Sequence, residues 1–179
     1  MARLRDEKYE YIKKKVVRTI LECDINELPI NPFAICNKRK YKSIKYSDKY
    51  SVDELELICK VYPDGFNYYL DGERIIEYND LLAPERIRMT LFHEIGHIEL
   101  KHTCKCSLSE AEAEWFAAYM IAPPPLVDLI NIDSFLDLAI KFDTSITCAY
   151  HCMRRYILWK RFTIVCRDYE KKLREQFSH

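Results

Sequence analysis

Apolar residues recur at helical spacing near the start of the chain. Tyr9, Ile12, Val16, Ile20 and Cys23 lie three or four apart, which predicts an amphipathic helix over residues 4–23. Asn31-Pro32 reads as an N-cap followed by a proline at the first helical position, opening a short helix. The polar stretch over 43–53 reads as loop. The period then drops to two: Leu55, Leu57, Cys59 and Val61 alternate with polar residues, the pattern of a half-buried strand. Residues 66–70 and 74–78 flank Asp71-Gly72, a two-residue hairpin signal. The first half is thus expected to hold a small antiparallel sheet of about three strands. Helical patterning returns at Pro84 and runs to about His102. Ser109 is placed to cap a helix over 110–122, which Pro123-Pro124-Pro125 ends. Helices over 134–142 and 145–160, and a basic tail helix, complete a helix-dominated α+β chain. It divides into an N-terminal helical part (1–50), a middle with the sheet and two helices (51–125) and a C-terminal helical part (126–179), all within one domain spanning 1–179.

Composition narrows the function classes. A 49% hydrophobic content in 179 residues is enough for a real core. No apolar run approaches the ~20 residues that span a bilayer, and the charged start Arg3-Leu4-Arg5-Asp6-Glu7 lacks the apolar segment of a secretory signal. A cytoplasmic protein with no membrane partner is expected, its eight cysteines held as thiols. With Gly65, Gly72 and Gly96 as its only glycines, the chain has no phosphate-cradling loop. Charge is uneven: net +6 over 1–50, −11 over 51–150 and +5 over 151–179. An acidic middle suits a bound cation or a basic partner, or is neutralised by the basic ends. Cys104 with Cys106, and Cys148 with Cys152, match no zinc-ribbon spacing and read as structural thiols.

His93-Glu94-Ile95-Gly96-His97 is an HExxH sequence inside a helical pattern. Residues four apart share a helix face, so His93 and His97 can hold one zinc ion, with Glu94 placed to take a proton from water. A catalytic site needs a third protein ligand. His102, Cys104, Cys106, Glu110, Glu112 and Glu114 are the nearby candidates. His102, five residues beyond His97, is expected on another face as a helix C-terminal cation. Ser109-Glu110-Ala111-Glu112 has the form of a capping box, which would occupy Glu112 with backbone amides. Spacing alone does not choose among them.

The stretch Tyr78-Asn79-Asp80, with residues 86–102 around His93-Glu94-Ile95-Gly96-His97, resembles the hallmark of the ImmA/IrrE family of metallo-endopeptidases. The later block, from Glu112-Ala113-Glu114-Trp115-Phe116-Ala117 to Pro123, is similar to that family's second signature, and residues 138–145 with Arg154-Arg155 resemble its closing helices more weakly. The resemblance implies a zincin-like fold of the HExxH…E type, one zinc per chain, and Glu112 as third ligand. It implies Glu94 as the general base of peptide hydrolysis. Glu114 stands where the family usually has Asn or Asp and is expected to orient a ligand histidine. Tyr119, His102 and His151 are candidate donors to the developing oxyanion. Short stand-alone members of the family act on a helix-turn-helix repressor of a mobile element or phage, so such a repressor is the expected partner, with an anti-repressor role in transcription regulation. The alternative is a regulator on the same scaffold that binds protein or DNA without proteolysis. The helices over 134–142 and 145–160 have helix-turn-helix-like spacing; DNA contact through them is not favoured over a bracing role.

Overall fold

The computed structural model describes residues 4–178 except Lys105 and Ile164. Its elements run α1 (Asp6–Glu22), α2 (Pro32–Arg39), β1 (Tyr41–Lys45), α3 (Tyr46–Lys49), α4 (Val52–Val61), β2 (Gly65–Leu70), β3 (Glu73–Tyr78), α5 (Pro84–Glu99), α6 (Ser107–Ile121), α7 (Pro124–Leu129), α8 (Phe135–Lys141), α9 (Ile146–Phe162) and α10 (Asp168–Gln176). The fold is α+β and helix-dominated, as the patterning predicts. No helix among the described residues is long and apolar enough to cross a membrane.

The expected helix ends hold where their chemistry is local. Asn31 accepts a hydrogen bond from the Phe33 amide at 2.9 Å and opens α2, and Ser134 caps α8 through the Asp137 amide at 3.0 Å. Asp71 (φ 49°) and Gly72 (φ 85°) make the left-handed turn between β2 and β3 that the Asp-Gly pair calls for.

The sheet differs from expectation in two respects. Its strand order is β1-β3-β2, with β2 antiparallel and β1 parallel to β3, so it is mixed rather than antiparallel. The third strand is Tyr41–Lys45, largely inside the stretch read as loop. Lys40, at φ 58°, closes α2 in the left-handed region and turns the chain straight into β1. Residues 55–61, read as a strand, belong to helix α4. Both the amide and the hydroxyl of Ser51 donate to Glu54 at 2.8 Å, a cap that nucleates the helix. No residue of α4 is buried, so its alternation of apolar and polar residues reported no buried face.

The core gathers around α5 and α6. Leu91, Phe92 and Ile95 of α5, Phe116, Ala117 and Met120 of α6, and Ile12, Val16 and Ile20 of α1 are fully buried; each of the larger side chains is worth roughly 1.5–3 kcal/mol relative to exposure. Gly96 is what lets α6 approach: a Cβ there would stand 3.1 Å from the Phe116 Cβ. α9 packs behind α6, where Arg155 donates to the Ala118 carbonyl at 2.9 Å and lies over the Trp115 ring. Arg155 is therefore held within the fold, in keeping with a bracing role for this helix.

Candidate metal centre

α5 carries His93, Glu94 and His97 on consecutive turns. The Nε2 atoms of His93 and His97 converge to 3.0 Å. Glu110, in the first turn of α6, brings Oε2 to 3.2 Å from the His93 Nε2 and Oε1 to 3.5 Å from the His97 Nε2. These three residues form the metal-competent group among the described residues. The spacing can be tested against a cation. Ligand bonds of 2.0–2.1 Å in tetrahedral geometry put ligand atoms about 3.3 Å apart; the Nε2 atoms stand 3.0 Å apart, and the two Glu110 oxygens lie 3.2 and 3.5 Å from one histidine each, close to that value. Two imidazoles and a carboxylate are a donor set that suits zinc.

Glu94 is buried, and its Oε2 accepts a 2.6 Å hydrogen bond from the Asn67 amide nitrogen on β2. Glu94, His93 and Glu110 line a cleft of about 410 Å³ whose far wall includes Val61, Tyr62 and Gly65. Strand β2 is a sheet edge, paired on one side with β3, and it borders this cleft through Gly65.

The structure does not bring Glu112, the carboxylate expected as third ligand, to the histidine pair. Its Oε2 lies 3.1 Å from His102 Nε2 and 3.0 Å from Lys8 Nζ on α1. The reason is angular: two residues on a helix differ by about 200°, so Glu110 and Glu112 cannot aim at one point. The expected capping box also forms one turn earlier. Cys106 is the N-cap of α6, and its amide donates to the Ser109 hydroxyl at 3.0 Å, which leaves Glu112 free of capping.

His102 does not turn to another face as helical continuation predicted. α5 ends at Glu99; Lys101 takes φ 58°, and the His102 amide bonds back to the His97 carbonyl at 3.0 Å. This reversal returns the His102 ring to His97, with the two Nδ1 atoms 2.9 Å apart. The remaining expected donors lie elsewhere. Glu114 and His151 line a second cavity of about 650 Å³ with Cys148 and Cys152, not the histidine cleft. Tyr119 is buried in the core, its hydroxyl without a partner among the described residues, and burial pushes its pKa well up.

Asn67 and Lys8 were not found by sequence reasoning. The signal for Asn67 was a polar residue within the aromatic strand Phe66-Asn67-Tyr68-Tyr69; Lys8 carried none. All eight cysteines are free. Cys104 and Cys106 are exposed, and hydrogen bonds from Ser109 and the Leu108 amide bring the Cys106 thiol down to about 7. Cys148 is lowered to about 6, first by its hydrogen bond with Cys152.

No curated protein sequence matches the chain. Residues 56–129, from α4 through α7, match the model of the peptidase M78 family, described as the IrrE N-terminal-like domain. That segment contains every histidine and carboxylate of the cleft, so the match to this ImmA/IrrE-type metallopeptidase model falls on the residues that form the site.

Proposed function

We propose that the chain is a zinc-dependent endopeptidase of the zincin-like type that cuts a specific intracellular protein. The observation that carries the reading is the convergence of His93 Nε2, His97 Nε2 and the Glu110 carboxylate beside Glu94. His93, His97 and Glu110 would hold the metal. A bound zinc ion supplies a Lewis acid that brings the pKa of water near 7 and polarises a carbonyl.

The chain's own residues supply the rest. Glu94 takes the proton of the attacking water and delivers it to the leaving amine nitrogen. The Asn67 amide fixes the Glu94 carboxylate by bonding one oxygen, which leaves the other for that proton. The free side of β2 offers backbone groups to an extended peptide, which would then run past Glu94. A helix-turn-helix repressor as substrate, a transcription-regulatory role and a cytoplasmic setting rest on the family resemblance.

The test is co-expression with the helix-turn-helix repressor encoded nearest to the gene, following repressor mass. Wild type should give fragments; Glu94→Gln should lose ~10²–10⁴-fold in rate while still binding zinc. Equal cleavage by both, or an intact repressor with a zinc-loaded wild type, would set this function aside.

A further inference from the structure

A chain of side chains runs outward from the histidine pair. His97 Nδ1 meets His102 Nδ1 at 2.9 Å, His102 Nε2 meets Glu112 Oε2 at 3.1 Å, and Lys8 Nζ meets the same carboxylate oxygen at 3.0 Å. The inner members are shielded: the side chains of His102 and Glu112 are 11% and 5% exposed. Lys8 comes from α1, outside the segment that matches the family model.

We propose that His102, Glu112 and Lys8 act as a positioning relay that fixes the tautomer and ring angle of His97, making Glu112 an outer support of the metal site rather than a ligand. The inference rests on the metal-site reading above. The hydrogen bonds admit one consistent arrangement of protons. When His97 gives its Nε2 lone pair to a cation, its single ring proton sits on Nδ1. That proton then lies 2.9 Å from His102 Nδ1, whose lone pair can accept it. His102 must then carry its own proton on Nε2, where it donates to the Glu112 carboxylate. A buried carboxylate needs a cation to offset the loss of water, and Lys8 stands 3.0 Å from Glu112 to supply it.

Each link thus fixes the next. A metal-ligating imidazole commonly donates its second N–H to an acceptor, and losing that acceptor costs ~10–100-fold in metal affinity. Here the acceptor is another imidazole, itself anchored twice. Its backbone amide bonds the His97 carbonyl at 3.0 Å, and its ring bonds Glu112. The left-handed turn at Lys101 is what makes the first anchor possible.

Zinc affinity is to be measured by competition with a chromophoric chelator, and the ring protons of His97 and His102 located by long-range ¹H–¹⁵N NMR of the zinc-loaded wild type. The relay requires the His97 proton on Nδ1 and the His102 proton on Nε2. His102→Leu should weaken zinc by ~10–100-fold. His102→Gln, whose amide can accept from His97 and donate to Glu112, should recover most of that loss. Glu112→Gln, which keeps an acceptor but not the charge, should lose less than Glu110→Gln, which removes a ligand. The NMR readout needs no substitution, so it stands even if His102→Leu fails to fold. A His102 proton on Nδ1, or wild-type affinity in folded His102→Leu, would overturn the relay. Glu112→Gln losing as much zinc as Glu110→Gln, with His102→Leu unaffected, would make Glu112 a direct ligand and equally overturn it. A wild type that takes up no zinc would instead remove the metal-site reading beneath it.

Discussion

Two carboxylate-containing clusters in this molecule are built on opposite principles. Glu77 on β3 is 1% exposed and receives Lys49 Nζ at 2.5 Å, the Tyr50 hydroxyl at 2.6 Å and the Tyr68 hydroxyl at 2.5 Å. Burial pushes its carboxyl up, but the three donors together outweigh burial and hold it below the usual range. That cluster is closed: the chain provides its own cation, and the result ties α3 to the sheet. The cluster of His93, His97 and Glu110 is open. Its three metal-competent side chains face one another beside the cleft. A carboxylate with its own donors serves the fold, whereas convergent acceptors beside a cleft are suited to a cation from outside.

The largest effect is expected at the open cluster. His93→Ala removes one of three ligands and should weaken metal binding by more than the ~100-fold that an outer partner is worth. Equilibrium dialysis against zinc would show it. Thermal unfolding of the metal-free protein should barely change, because the side chain is not part of the core.

Glu77→Gln should do the reverse. Losing charge-assisted bonds in a buried cluster should cost about 1–3 kcal/mol of stability, roughly 2–4 °C of melting temperature per kcal/mol in a chain of this size, with zinc affinity unchanged. A carboxyl whose folded pKa is depressed adds stability above its unfolded pKa and loses it as pH falls through the folded value. The wild-type advantage over Glu77→Gln should therefore be complete near neutrality and shrink below about pH 4.3. Chemical denaturation at pH 7 and pH 3 measures both, and a difference that grows in acid would contradict the closed-cluster view.

The smallest effect belongs to Cys106, an exposed acceptor that the start of α6 supplies with backbone donors. Its thiol is lowered to about 7, chiefly by the Ser109 amide, so its alkylation by iodoacetamide should reach half its maximal rate near that pH. A midpoint at the ordinary thiol value would show that the cap does not hold the thiolate.

Much of this arrangement is legible in the sequence, and the parts that are not have a common cause. His93, Glu94 and His97 share a helix face through four-residue spacing, and the Asp71-Gly72 turn announces its hairpin. Those signals are local. The choice of Glu110 over Glu112 depends on the rotation of α6 against α5, which the Cys106 cap and the Gly96–Phe116 approach set together. The placement of His102 turns on a left-handed Lys101, a residue with no special preference for that conformation. Strand β1 escapes local reading because its partner lies more than 30 residues away, with Tyr41 opposite Arg74. α4 misleads because alternation implies a strand only when one face is buried, and here none is. Lys8 finds Glu112 across more than 100 residues, through packing of α1 on α6 that aligns Tyr9 against Trp115.

In the proposed metal site, α5 and the first turn of α6 supply the ligands, with Glu110 as the carboxylate. Crystals of the zinc-loaded protein, with anomalous scattering recorded on both sides of the zinc edge, test it most directly. One peak per chain is expected, about 2.0–2.2 Å from His93 Nε2, His97 Nε2 and a Glu110 oxygen. A peak bonded to Glu112 in place of Glu110, or zinc bound only away from the two histidines, would contradict it.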